Sequence, residues 1–313
     1  MDHSTPYEAA VVITTRNRCD DLSRALHSCV SQTDVQLEIL VYDDESTDGT
    51  SEMVASEFPN VRLFRQDRRV GYIVLRNRGF HDTTAAVVFS LDDDARFTDP
   101  TTIRQTIDYL HTNTMIGAVA LQYVEPHRTP KQGYMPETPG GTQVRNYIGC
   151  AHAIRVDVAR QLGGYREFLV HQGEERDLCL RMLEAGYAVR YLPTPPIIHE
   201  PSQVRDHSNI NYYGYRNTFL FDILNVPFPD ILWRLPTDIV LLSKYRITLK
   251  TLPSRLLNTV RSLFACLWFL GKRAPVSIST YDHYRKLVAH GPIDPKTLSR
   301  TENLENRGYR QGG

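Results

Sequence analysis

Cysteine is scarce in this sequence and never occurs in close pairs. The chain has five cysteines among 313 residues, at positions 19, 29, 150, 179 and 266. An odd number of cysteines without a CxxC spacing argues against both a disulfide framework and a structural zinc site. A reduced, cytoplasmic setting is therefore the expectation from cysteine usage.

Long apolar segments are also missing. The longest strongly apolar stretch covers residues 263–271 and is far shorter than the about 20 residues that a membrane-spanning helix needs. The first residues lack the basic stretch and apolar core of a secretory signal. We therefore expect a chain that does not cross a membrane.

The chain carries no net charge, because its 36 basic residues balance its 36 acidic residues. The whole molecule has no field that would attract nucleic acid, so we expect no nucleic-acid partner. The charge is unevenly distributed, however. The residues from 231 onward carry a net charge of +9, and those before them a net charge of −9. An acidic body is thus followed by a basic C-terminal part.

Strand-like and helix-like segments alternate through the first two thirds of the chain. This pattern predicts an α/β domain with a mostly parallel sheet and helices on both faces. The predicted strands cover residues 9–15, 37–42, 61–64, 85–91, 115–124 and 187–192. Helical spacing and cap residues predict helices over 20–32, about 50–58, 71–81, from about 99 onward, 155–162 and 174–185.

The later part of the chain has a different character. Residues 125–143 are rich in Pro, Gly and Thr, which predicts a long loop of the kind that often covers a functional site. Helices are predicted over 207–224, 230–245 and 252–271. We accordingly divide the chain into a catalytic α/β domain (1–205), a helical extension (206–272) and a polar, basic tail (273–313).

Acidic residues follow two of the predicted strands directly. Asp92, Asp93 and Asp94 end one apolar run, and Asp43 and Asp44 end another. Open α/β sheets bind ligands at the carboxyl ends of their strands. Carboxylates there can hold Mg²⁺ or Mn²⁺ against a substrate phosphate. The simpler alternative for each cluster is a polar turn, since Asp is a common turn residue.

A glycine-rich phosphate loop is missing. Neither GxGxxG nor GxxxxGK[ST] occurs in the sequence. A nucleotide bound at the acidic edge would therefore have its phosphates neutralised by a metal ion instead of a helix N-terminus.

A third acidic group lies in the first turn of the helix predicted at 174–185. Glu174, Glu175 and Asp177 are stabilised there as anions by the helix dipole, by about 0.3–1 kcal/mol each. A carboxylate held ionised in this way can act as a general base on a hydroxyl group. An ordinary acidic N-terminal turn is the alternative.

Two further candidates are weaker in isolation. Arg76 and Arg78 lie on one predicted helix with Asn77 between them, and could contact phosphate or base or form a solvated basic face. His199 follows an apolar run and could offer an imidazole to a metal ion, although such a histidine is more often structural.

The order and spacing of these motifs resemble glycosyltransferase family 2, whose members have the GT-A fold. The resemblance runs from about residue 9 to about residue 200. The segments that carry it are Val12 to Asn17, Val41 to Asp48, Arg76 to Gly79, Leu91 to Asp94, Gly163 to Tyr165 and Glu174 to Leu178.

The resemblance implies roles for the residues that match the family motifs. Thr14, Arg16 and Asp44 would line the pocket for the nucleotide base and ribose. Arg76 would approach the base or the diphosphate. The donor would be a nucleotide-diphosphate sugar, such as a UDP- or dTDP-sugar.

The resemblance also implies the metal ligands and the base. Asp92 and Asp94 match the outer acids of the DxD motif; Asp94 would bind Mg²⁺ or Mn²⁺, and Asp92 would contact ribose or the metal. His199 stands where some members place a histidine near the metal. Glu175 stands where the family usually has the Asp of its Glu-Asp pair, the catalytic base. Because this position is Glu here, Glu174 and Asp177 remain alternatives.

The expected function is therefore inverting transfer of a sugar to an acceptor hydroxyl in polysaccharide or glycoconjugate synthesis. A glycan or a lipid-linked molecule would be the acceptor. Two alternatives stay open at this point: a nucleotidyltransferase on a similar sheet, and a non-catalytic protein that binds a sugar or a partner on a GT-A-like scaffold.

The basic C-terminal part suggests a location for this reaction. Residues 263–270 are apolar and are flanked by Arg255, Arg261, Lys272 and Arg273. A helix with one apolar face and cationic ends can lie in a membrane interface without crossing it. The expectation is peripheral contact with the inner membrane face. The alternative is that these apolar residues pack on the catalytic domain or across a homodimer.

Overall fold

The computed structural model describes residues 7–127, 142–201, 207–244 and 252–293. Most of the loop predicted at 125–143 and the last twenty residues of the predicted tail lie outside the described residues. The described part contains one eight-stranded sheet in the order β3-β2-β1-β4-β7-β6-β8-β5. Its strands are β1 (Ala9–Thr15), β2 (Leu37–Asp43), β3 (Arg62–Arg65), β4 (Val87–Asp92), β5 (Ala95–Arg96), β6 (Ile116–Val124), β7 (His152–Arg155) and β8 (Ala188–His199).

The helices lie on both faces of this sheet and beyond its edge. They are α1 (Cys19–Val30), α2 (Thr50–Glu57), α3 (Tyr72–Asp82), α4 (Thr102–Thr112), α5 (Val156–Gln161), α6 (Glu174–Glu184), α7 (His207–Asn225), α8 (Ile231–Lys244), α9 (Leu252–Leu267) and α10 (Ile278–Lys286). Two short 3-10 turns cover Glu167–Leu169 and Leu270–Lys272. The predicted fold class, an α/β domain followed by extra helices, is confirmed.

The sheet is mixed. Strands β1, β2, β3 and β4 are parallel, and β6 pairs with β8 in parallel, but β7 is antiparallel to both of its neighbours. Strands β5 and β7 were not predicted, because runs of two and four residues are too short to show a period. Strand β8 continues past Pro195 and Pro196 to His199, with a register shift near the prolines, where a bulge tolerates a residue without a backbone donor.

Alternate residues of the strands bury against different helices, because side chains on a strand point to opposite faces. Ala10 and Val12 of β1 face one core, which includes α3, α5, α6 and α7. Val11 and Ile13 face the other core, which includes α1, α2 and α4. Both faces of the sheet are therefore covered, and ligands have access at its carboxyl edge.

The strand register brings the acidic clusters to this edge together. Thr14 of β1 lies opposite Tyr42 of β2 and Asp92 of β4. Asp43 follows Tyr42 on β2, and Asp93 follows Asp92 at the end of β4. The carboxyl ends of three adjacent parallel strands thus converge, as the sequence pattern predicts.

Helix α7 connects the catalytic domain to the C-terminal helices. Its Phe219 and Leu220 are fully buried in the core that contains α3 and α6. Burial of side chains of this size is worth about 1.5–3 kcal/mol each, so α7 is an integral part of the folded domain. Helices α8 and α9 pack on α7 in turn.

Part of the predicted polar tail folds back onto the catalytic domain. Tyr281 and Tyr284 of α10 share a small core with Leu180 of α6. The amide of Ile293 donates to the Tyr123 carbonyl of β6 at 2.8 Å. Residue 273 is therefore not a structural boundary, since the segment up to Ile293 is packed. None of the described helices combines the length and hydropathy that a membrane span requires.

Candidate active site

In both Asp92 and Asp94, one carboxylate oxygen accepts a hydrogen bond from an arginine and the other faces a histidine. Arg76 donates to Asp92 Oδ1 at 2.6 Å, and Arg18 donates to Asp94 Oδ2 at 2.9 Å. The opposite oxygens face the same imidazole: Asp92 Oδ2 lies 4.0 Å and Asp94 Oδ1 lies 3.3 Å from His199 Nε2. Two carboxylate oxygens and one imidazole nitrogen therefore converge at the carboxyl edge of the sheet.

His199 is oriented through its other ring nitrogen. Its Nδ1 lies 3.1 Å from Glu125 Oε1. A carboxylate on one imidazole nitrogen commonly orients the other toward a metal ion. Burial alone would lower the pKa of His199, but the neighbouring Cys150 thiol and the Asp94 and Glu125 carboxylates outweigh it and raise this pKa.

The donor set fits a divalent cation. One ligand atom each from Asp92, Cys150 and His199 lies within 4.8 Å of the others. Carboxylate and imidazole are suitable ligands for Mn²⁺, and carboxylates for Mg²⁺. Cys150 is a softer donor, and burial raises the pKa of its thiol, which favours the neutral form. Asp92, Asp94 and His199 are thus the residues suited to hold the ion.

Asp93 lies between these two acids but has a different environment. It is buried, accepts a hydrogen bond from the Thr15 hydroxyl at 2.8 Å, and lies 3.7 Å from Arg18 Nε. Burial raises its pKa to about 7. Asp93 ties β1 to the turn after β4, and it is not one of the acids that face His199.

Arg76 links the acidic edge to helix α6. The residue is buried, its guanidinium lies 4.8 Å from the Tyr72 ring centroid, and it donates to Asp92 and, at 3.4 Å, to Glu174 Oε1. The resemblance placed this arginine at the nucleotide base or diphosphate. The structure places it between two carboxylates, because a buried cation requires partners of opposite charge.

The three acids of the first turn of α6 differ in environment. Glu174 is fully buried, and its Oε2 has no hydrogen-bond partner among the described residues. Burial and the nearby Glu175 raise the pKa of Glu174 to about 8. Asp177 is buried and accepts from Arg166, Arg181 and Asn225 at 2.7–2.9 Å. Glu175 is partly exposed, and burial raises its pKa above the ordinary value.

Helix α7 holds the loop that precedes α6. Arg216 donates to the carbonyls of Phe168 and Leu169 at 2.6 and 2.8 Å. Asn217 donates to the carbonyls of Leu169, His171 and Gln172 at 2.6–2.8 Å. The loop ends at Gly173, whose φ of +87° favours glycine, and Glu174 then begins the helix. The position of the acidic turn thus depends on the C-terminal helices.

The predicted base and ribose residues lie around the end of β1. Thr14 is partly buried on this strand. Arg16 is exposed, with its guanidinium 3.7 Å from Glu45. Both oxygens of Asp44 accept backbone hydrogen bonds, from Val70 at 2.7 Å and from Gly71 at 3.0 Å. Asp44 therefore fixes the loop that leads into α3 and the helix that carries Arg76.

Sequence reasoning missed four residues of this site. Arg18 contacts Asp94, Glu125 orients His199, and Gly149 and Cys150 lie beside Asp92 and Arg76. Arg18 follows β1 closely, so its position at the carboxyl edge was a usable signal. Glu125 directly follows the strand predicted at 115–124, so the same signal applied to it. Gly149 and Cys150 stand in a segment without periodicity, and tertiary packing alone brings them to the site.

Gly149 provides the space in which the basic and acidic groups meet. A Cβ added at this position would lie 2.9 Å from Glu175 Oε1 and 3.0 Å from both terminal nitrogens of Arg76.

We expect Gly149→Ala to lower turnover at least roughly tenfold and to destabilise the fold by about 1–3 kcal/mol, because the overlap must displace one of these side chains. Gly271→Ala is the matched control, since a Cβ there meets nothing within 4 Å. Steady-state kinetics and thermal unfolding measure both effects, and wild-type turnover in Gly149→Ala would contradict the described packing.

The mixed sheet with helices on both faces and carboxylates at its carboxyl edge has the GT-A architecture. Residues 10–163 match the family model for glycosyl transferase family 2. The match covers just under half of the chain and includes strands β1 to β7 with Asp44, Arg76, Asp92 and Asp94.

Curated relatives of this chain are also glycosyltransferases. The pre-mycofactocin glycosyltransferase of Mycobacterium tuberculosis is 27% identical over 216 residues, which cover 64% of this chain and 44% of that protein. The chain spans less than half the length of this and of other curated relatives that it matches.

Two solved structures share the fold. The mannosyltransferase PcManGT from Pyrobaculum calidifontis, in complex with GDP-Man and Mn²⁺, has a TM-score of 0.57 at 17% identity and covers 90% of this chain and 79% of its own. Residues 1–349 of S. aureus TarS, in complex with UDP-GlcNAc, give a TM-score of 0.62 at 14% identity, with 83% and 80% covered. These likenesses concern the fold.

Proposed function

We propose that this chain is a metal-dependent, inverting glycosyltransferase. It would move a sugar from a nucleotide-diphosphate donor, a UDP- or dTDP-sugar, to a hydroxyl of a glycan or lipid-linked acceptor in glycoconjugate synthesis. One observation carries the proposal: Asp92 and Asp94 turn one oxygen each toward His199, and the partly exposed Glu175 lies near Arg76, the residue that holds Asp92. The site therefore offers a place for a cation and a separate place for a base.

Asp92, Asp94 and His199 would hold Mg²⁺ or Mn²⁺. When bound, the cation supplies positive charge opposite the leaving diphosphate. The presence of Mn²⁺ with a nucleotide sugar in PcManGT supports this part of the proposal. Arg76 and Arg18 hold the two carboxylates in place through the oxygens that turn away from His199.

Glu175 would act as the base. It would take the proton of the acceptor hydroxyl as that oxygen bonds to the anomeric carbon and the bond from this carbon to the diphosphate oxygen breaks. One displacement from the opposite face inverts the anomeric centre. Full burial excludes Glu174 from contact with an acceptor, and its raised pKa favours a protonated carboxyl. The three donors around Asp177 give that residue a structural role.

Thr14, Arg16 and Asp44 would line the pocket for the base and ribose. Both Asp44 oxygens already accept one backbone hydrogen bond each. A carboxylate has about four acceptor positions, so capacity for a base or ribose donor remains. TarS binds UDP-GlcNAc, which supports a uridine donor. PcManGT binds GDP-Man, and GDP is therefore included among the nucleotides to be tested.

A nucleotide panel tests this function. Thermal unfolding would be measured with UDP, dTDP and GDP, each with Mn²⁺ and with a chelator. A bound ligand at about 100 times its Kd adds roughly 2.7 kcal/mol of stability, so we expect Tm to rise by several degrees with UDP or dTDP and Mn²⁺. Hydrolysis of the matching nucleotide sugar should require the metal. Stabilisation without any turnover would instead favour a non-catalytic binding protein, and no stabilisation by any nucleotide would overturn the proposal.

A further inference from the structure

The outer surface of helices α8 and α9 is apolar over a large area. Trp233 and Trp268 are 76% and 88% exposed. We call this surface the α8–α9 face. It consists of Leu232, Trp233, Val240, Leu241, Leu256, Leu257, Val260, Phe264, Leu267 and Trp268, each at least 46% exposed. A contiguous apolar patch of this kind marks an interaction site on a folded protein.

A helix on an ordinary protein surface buries its apolar side and exposes its polar side, whereas α8 and α9 carry large apolar residues on both sides, since Leu235, Ile239 and Leu263 pack on the core. In α9 the buried positions include Thr259 and Ser262, and in α8 Asp238 is buried. Asp222 of α7 is fully buried in the same layer, where Arg234 contacts both acids. The outward side of these helices is thus apolar while the inward side mixes apolar and polar groups, as expected for helices that lie against lipid.

The same segment is strongly basic. Residues 239–281 contain seven Lys and Arg and no Asp or Glu. Arg261 and Lys272 are exposed next to the α8–α9 face. An anionic surface would complement these positive charges.

The α8–α9 face lies close to the catalytic turn. Phe269, the residue after Trp268, stacks on Phe168 with ring centroids 4.5 Å apart. Phe168 belongs to the loop that Arg216 fixes and that leads to Gly173 and the first turn of α6. The end of α9 that carries Trp268 is therefore followed by a residue that packs on the loop leading to α6.

We propose that the α8–α9 face docks in the plane of an anionic lipid bilayer and presents the active site to a lipid-linked acceptor. The choice of acceptor rests on the proposed function; the docking itself does not. Exposed tryptophans are typical of membrane–water interfaces, and an amphipathic helix with basic flanks lies in the interface without crossing it.

Flotation with vesicles tests the docking. The full chain would be mixed with phosphatidylcholine vesicles, or with vesicles of 70% phosphatidylcholine and 30% phosphatidylglycerol, at 0.1 M and 1 M NaCl. We expect binding to the anionic vesicles that weakens at 1 M salt, where the Debye length falls from about 10 Å to about 3 Å. The variant Trp233→Ser/Phe264→Ser/Trp268→Ser should lower the partition constant at least roughly tenfold. Val30→Ser/Met115→Ser, at apolar sites elsewhere that are 53% and 51% exposed, is the control and should bind as the parent does.

A second pair of variants tests the charge. Arg261→Gln/Lys272→Gln should weaken binding to anionic vesicles by roughly fivefold per charge at low salt. Arg24→Gln/Arg65→Gln, which removes two arginines that are 55% and 50% exposed on α1 and β3, should change it little. Equal losses in both variants would show that net charge acts without a defined face, which contradicts the proposal.

The remaining outcomes are also decisive. Absence of binding to anionic vesicles overturns the proposal, as does unchanged binding of the tryptophan variant. A dimer in solution also overturns the proposal, if the tryptophan variant dissociates this dimer and vesicles do not compete with dimer formation. Nucleotide-dependent stabilisation is measured without vesicles, so its failure would remove the proposed function and leave the docking result intact.

Discussion

We expect Glu175→Gln to lower the turnover number by roughly 10²–10⁴-fold while leaving donor affinity unchanged. The amide keeps the size of the carboxylate but cannot accept the acceptor proton, and general-base catalysis contributes about this factor. Donor affinity should persist because Asp92, Asp94 and Arg76 remain in place. Steady-state kinetics, with donor binding followed by thermal shift, separate the two effects.

The neighbouring acids provide matched comparisons for this variant. Glu174→Gln should reduce activity less, since this buried residue contacts Arg76 and does not reach the acceptor side. Asp177→Asn should act mainly on stability, because it removes the charge that three donors share. If Glu174→Gln caused the large loss and Glu175→Gln did not, the base would be Glu174 and the assignment here would be wrong.

We expect Asp94→Ala to reduce transfer by at least roughly 10²–10³-fold and to abolish the stabilisation that Mn²⁺ adds to a bound nucleotide. The variant removes one of the two carboxylate oxygens that face His199 Nε2. A metal ion at a developing charge contributes several kcal/mol to the transition state. Activity with a titrated metal and a thermal-shift series with and without Mn²⁺ measure these losses.

Folding should survive this change. Arg18 loses its Asp94 partner but keeps Asp93 and Asp21 within 3.7 Å, so no buried cation is left unpaired. Asp108→Ala, at an acid with a 64% exposed side chain on α4, is the control and should retain activity. Parental activity of Asp94→Ala in excess chelator would show that the reaction does not need the metal ion.

The sequence alone determined six of the eight strands and the acidic edge of the sheet. Apolar runs of seven residues such as β1 and β2 have a strand period, and side chains that follow parallel strands must meet at one edge. The starts of helices α7, α8 and α9 were predicted to within two residues, and so was the end of α7. Cap and proline signals are local in the sequence, which makes such boundaries predictable. Motif order then identified the family.

Tertiary structure decided how the acids are used. Local sequence cannot tell Glu174, Glu175 and Asp177 apart, because their burial depends on Arg76, Gly149 and the arginines that pack against α6. Likewise, the periodicity of α9 predicts an amphipathic helix but not which side faces inward. The contact with α7 decides that Thr259 and Ser262 are buried and Trp268 is exposed. The burial of a side chain depends on residues that are distant in the sequence. These residues determine which acid is the candidate base and which side of α9 is exposed.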